Sequence, residues 1–233
     1  MKTFLRIIIV AVMVAVGIRL IEQIERGGFS QSKEDPIKVA MAELQKRDPL
    51  THAVLSDHPQ EVEPILQEAL KTKDMKTMQK KVADLYLEYG PPVHRRASDE
   101  TTLALYVPML NLIDALAKHA PSSCKDLLTG FVKVDILSDP AVAAAYKTYS
   151  SAYIEIYSSG KQRVETGTLL NDDQFYQILF VELDFSEEDM EKLADLQSIS
   201  NADACNLGAR LYDYKLIPPA HRAAYLRRIM FVQ

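Results

Sequence analysis

The sequence predicts an all-α fold: a compact domain of about ten helices, preceded by an apolar N-terminal helix that exports or anchors the chain. Three observations predict it. Asp35-Pro36, Asp48-Pro49 and Asp139-Pro140 each set a capping acceptor before a proline, whose missing N–H costs nothing at the first helical position. Gly90, Gly130 and Gly160 follow runs of helical periodicity, where a left-handed residue commonly ends a helix. Strand signals barely appear, and the best of them, Phe131 to Leu137, is too isolated to build a sheet.

The first element is residues 1–28. Lys2 and Arg6 precede an uncharged run from Ile7 to Ile18, the layout of a charged n-region followed by an apolar h-region. That run spans about 18 Å, short of a hydrocarbon core of about 30 Å. Counting from Thr3 to Ile21 gives about 28 Å, with Arg6 and Arg19 snorkelling to the headgroups. Ala15-Val16-Gly17 offers small residues for cleavage, but no polar stretch precedes them. The helix ends at Gly27-Gly28, a pair that costs too much backbone entropy to continue it. The expectation is membrane anchoring through residues 3–21, with the body on the extracytoplasmic side. The alternative is a secreted or periplasmic body after signal cleavage.

Residues 29–233 are expected to form one helical domain; if it divides into two subdomains, they meet near 90–98, where Gly90-Pro91-Pro92 separates the shorter N-terminal helices from the longer ones. Punctuation and periodicity predict helices over 36–46, 60–71, 74–89, 99–119, 122–129, 140–159, 172–183, 187–198, 203–216 and 219–230. Pro108 should kink the fourth or split it at Val107. Lys161 to Asn171 reads as a surface loop.

Setting aside the first 26 residues leaves 23 bases against 30 acids, a net charge of about −7. Phosphate binding needs a basic surface, so nucleic acid is not an expected partner. The eight glycines form no phosphate-cradling motif, and the five histidines give no pair at i, i+4 for a zinc site. Acid pairs such as Asp172-Asp173 and Glu187-Glu188 fit first helical turns, where the dipole favours them. No cofactor, metal or catalytic residue is expected.

Two patterns remain. Cys124 and Cys205 each follow capping residues; in cytosol they would be buried thiols, but behind an export segment they would staple two helix starts by a disulfide, worth about 4.5 kcal/mol in the chain-entropy model. Tyr146, Tyr149, Tyr153 and Tyr157 lie three, four and four residues apart, so their rings share one helix face: a core stripe or a contact face. Charge is also uneven. Residues 171–195 hold nine acids against Lys192, and residues 205–233 hold five bases against Asp213. These segments either pack on each other, or the acids around Asp184, Glu187, Glu188 and Glu191 dock a basic partner.

The function expected from this is that of an exported or membrane-tethered helical binding protein with an unidentified protein partner. It would act as an inhibitor, an immunity-type antagonist or an envelope assembly factor. The alternatives are a hydrolase whose carboxylates converge only in the fold, and a structural subunit of a membrane complex.

Overall fold

The computed structural model describes residues 35–129 and 137–231. Among them the chain is helical, with no strand. The segment 131–137, the best strand candidate in the sequence, lies almost wholly outside the described residues. The first four helices are α1 (Pro36–Arg47), α2 (Pro49–Leu55), α3 (Pro59–Thr72) and α4 (Met75–His94). Next come α5 (Asp99–Leu103), α6 (Tyr106–His119), α7 (Ser123–Thr129) and α8 (Pro140–Lys161). The last are α9 (Asp172–Gln177), which runs into a π turn over Ile178–Glu182, α10 (Glu187–Ala194), α11 (Asn201–Leu211) and α12 (Arg222–Phe231).

The expected anchor helix is corrected. Among the described residues no helix is long and apolar enough to cross a membrane. Residues 1–28, on which the export, the membrane contact and the extracytoplasmic placement rested, lie outside the described residues. Among the described residues the fold is an all-helical domain.

The caps behave as their chemistry requires. The Asp35, Asp48 and Asp139 carboxylates accept N–H bonds from Ile37, Thr51 and Ala141 at 2.9, 3.0 and 2.8 Å, and a proline follows each at the first helical position. Asp48-Pro49 starts a helix absent from the expected set. With seven residues, α2 is too short to show periodicity or to stand alone in water, and it persists because Thr51, Val54 and Leu55 are buried.

Gly90 does not stop α4, which runs on through Pro91 and Pro92 to His94. A residue before proline normally leaves the helical region because its Cβ and N–H meet the proline ring. Gly90 has no Cβ, which removes part of that clash. The 99–119 helix is split earlier than Pro108: α5 ends at Leu103, and Pro108 falls in the first turn of α6, where it removes no helical hydrogen bond.

The buried apolar side chains form two clusters. One holds Leu44, Val54, Leu55, Val62, Leu66, Val82 and Tyr86 from α1 to α4; the other runs from Ala97 to Phe231. The long α8 joins them, lying against α2, α4, α5 and α6. Its Tyr157 belongs to the first cluster and its Tyr153 to the second.

Candidate functional site

The central position of α8 decides the fate of the tyrosine stripe. Tyr153 and Tyr157 are buried, and Tyr146 and Tyr149, half-buried, pack on the larger cluster. Their rings run in sequence, Tyr146 to Tyr149 at 6.3 Å and Tyr149 to Tyr153 at 5.6 Å between centroids. Burial raises the phenol pKa of Tyr146, Tyr149 and Tyr153. The Tyr157 hydroxyl donates to Asp57 Oδ2 at 2.9 Å, and Lys161 Nζ lies 2.6 Å from the same oxygen. This packing favours the core-stripe reading of the four tyrosines over the contact-face reading. Spacing puts the rings on one face, but the helices packed around α8 take that face inside.

His94 ends α4 inside the same aromatic group. It is fully buried, with ring centroids 4.9 Å from Tyr153, 5.6 Å from Tyr157 and 5.1 Å from Phe231. Neither ring nitrogen has a hydrogen-bond partner. Desolvation pushes its pKa down to about 3, so the imidazole is neutral near pH 7 and packs as an aromatic ring. Asp48, the buried carboxylate, has its pKa raised by desolvation and is occupied in capping α2. Among the described residues, the groups that act on it are Thr51, Leu50 and His52, not a second acid that would make a general acid and base pair. Among the described residues no three His, Cys, Asp or Glu side chains are grouped to hold a metal ion.

Cys124 on α7 and Cys205 on α11 form the expected disulfide, with Cα atoms 5.0 Å apart. Cys124 lies in the first turn of its helix. Cys205 lies one turn deeper than expected, because α11 starts at Asn201 under a Ser200 cap.

The acidic segment is built around α9. The Asn171 side chain accepts from the Gln174 N–H at 2.8 Å, and the Gln174 side chain accepts from the Asn171 N–H at 3.2 Å, a reciprocal cap. Phe175, Ile178 and Leu179 are buried against the core. The run Ile178-Leu179-Phe180-Val181 is too wide for one buried face, so its second half faces out. Phe180 is 40% exposed and Val181 69%, and Tyr176, one turn before Phe180, is 40% exposed. The Tyr176 and Phe180 rings stack on each other with centroids 6.0 Å apart and planes 18° apart. The π turn closes with Leu183 N–H donating to Ile178 O at 2.9 Å. Asp184 then takes a left-handed conformation at φ 51°, which aspartate tolerates better than most residues.

The basic C-terminal segment does pack against this one. Arg210 pairs with Asp189 at 3.1 Å and donates to the backbone oxygens of Leu183 and Asp184. Arg228 pairs with Asp172 and lies over the Phe175 ring. Glu188 pairs with Lys192 at 2.6 Å along α10. Asp173, Glu182, Asp184, Glu187 and Glu191 take no ion-pair partner among the described residues. The sequence reading named Asp184, Glu187, Glu188 and Glu191 but missed Tyr176, Phe180 and Val181. The width of the apolar run was the signal that could have found them. No family model, curated protein or solved structure matches this chain.

Proposed function

We propose that this is a helical binding protein acting through a protein-contact surface made of Tyr176, Phe180 and Val181 with the acids beside them. The observation that carries the reading is the exposed Tyr176–Phe180 stack. Two aromatic rings held together in solvent give a rigid, amphipathic anchor of the kind that dominates interface energies. Inhibition, antagonism or assembly would each be served by such a surface. The carboxylates favour this over hydrolysis, since the buried Asp48 caps a helix and Asp172, Asp173, Glu187, Glu188 and Asp189 lie in first helical turns.

The test is retention of proteins from the native host on the immobilised full chain, compared with its Tyr176→Ala/Phe180→Ala variant. A protein held by the first and lost from the second supports the reading. Identical sets on both refute it.

A further inference from the structure

We infer that the occupant of this surface is a basic amphipathic helix of a partner protein, an inference that rests on the contact reading above. The strip has the dimensions of a helix ridge. Tyr176 and Phe180 stand one turn apart, with Val181 beside them, and a second helix can lay apolar residues spaced at three and four along it.

Charge selects the kind of helix. Asp173 lies three residues before Tyr176 on the exposed side of α9, and Glu182 and Asp184 follow Val181 directly. On α10, Glu187 and Glu191 are exposed and one turn apart, so they share a face. None of the five has an ion-pair partner among the described residues. Lysines and arginines flanking an apolar ridge would meet Asp173, Glu182 and Asp184, which adjoin the strip along the chain, whereas an acidic helix would be repelled.

A second copy of this chain fits less well. A two-fold contact sets the same patch against itself, which here places acids against acids. The arginines that pack on this segment are already committed, Arg210 to Asp189 and Arg228 to Asp172, and the buried Arg227 pairs with Asp99.

The experiment uses the full chain and three labelled synthetic 14-residue peptides, read by fluorescence anisotropy. One is a leucine–lysine helix with its leucines on one face. The second has the same composition with the leucines scattered, and the third replaces lysine by glutamate. The first should bind, the other two at least about tenfold more weakly. Phe180→Ala should weaken the first about tenfold or more. Val181→Lys, at a site open enough to leave the fold intact, should weaken it similarly by repulsion. Raising the salt should also weaken it, and the Asp173→Asn/Glu182→Gln variant should respond less to salt.

Equal binding of the glutamate peptide, or affinity unchanged by both Phe180→Ala and Val181→Lys, overturns the proposal. So does a dimer in sedimentation that Phe180→Ala dissolves, since the occupant would then be a second copy. If the lysine peptide fails while host-protein retention still depends on Tyr176 and Phe180, the basic class falls and the contact reading stands.

Discussion

Gly160 on α8 lies so close to Val93 on α4 that a β-carbon on it would stand 2.0 Å from the Val93 carbonyl oxygen. The obstacle is backbone, which cannot swing aside, so the two helices meet only because residue 160 has no side chain. Gly160→Ala should therefore cost about 1–3 kcal/mol or more, as overpacking does. Gly208 on α11 is the control. A β-carbon there would meet Leu128 Cδ2 at 3.5 Å, an ordinary contact, so Gly208→Ala should be neutral or stabilise by up to about 1 kcal/mol through helix propensity. Urea midpoints of the two variants measure this, and equal shifts would refute the account of the α4–α8 contact.

The Cys124–Cys205 bond closes a loop across 81 residues of sequence separation. Its removal should cost about 2–5 kcal/mol. A Cys124→Ala/Cys205→Ala variant, or the wild type in excess reductant, should unfold at a clearly lower urea concentration. An unchanged midpoint in both would show that the two thiols are not bonded.

His94 makes stability depend on pH. Its pKa is about 3 in the fold against 6.5 for the ordinary group, so between these values the unfolded chain binds the extra proton. Stability due to this group is full above pH 6.5 and is lost as pH falls toward 3, by at most about 5 kcal/mol. Asp48 acts in the opposite sense. Burial raises its pKa above 3.8, so its contribution falls as pH rises past 3.8. His94→Phe keeps an aromatic ring beside Tyr153 and Phe231 but cannot take the proton. The variant should lose stability less than the wild type between pH 7 and pH 4 in urea titrations. Parallel curves would show that His94 takes up its proton equally in the folded and the unfolded chain, against this account.

Arg227 is fully buried. It donates to the Ala97 carbonyl at 2.7 Å and to Thr168 O at 3.4 Å, and it pairs with Asp99 at 2.6 Å. A β-carbon on Gly167 would come within 2.3 Å of its guanidinium carbon. The 162–170 loop is thus laid directly over this side chain. Arg227→Met should release the loop and speed tryptic cleavage after the exposed Arg163 several-fold, in addition to lowering stability. Cleavage at the wild-type rate would show that the loop is held by other contacts.

Much of the helical order was legible because caps are local. Asp35, Asp139, Asn171 and Ser186 each satisfy backbone N–H groups within three residues, so a short stretch of sequence carries the whole signal. The Cys124–Cys205 pairing was legible for a different reason, since only two cysteines were present to pair. What could not be read depends on distant neighbours. The tyrosine face of α8 points inward because four helices surround it. The short α2 exists because its apolar side is covered. Tyr176 and Phe180 point outward because Phe175, Ile178 and Leu179 already fill the space beneath. Periodicity says which residues share a face, and tertiary packing says what that face meets.

Whether Tyr176 and Phe180 hold a partner is decided by the affinity of a retained host protein for wild type and for Phe180→Ala. Both samples should be measured in one buffer beside their urea midpoints. At 40% exposure, Phe180 should contribute little to stability, so the midpoints should nearly coincide while the dissociation constant rises about tenfold or more. An unchanged dissociation constant, or a loss of about 3–5 kcal/mol of stability as for a buried aromatic ring, would contradict the claim.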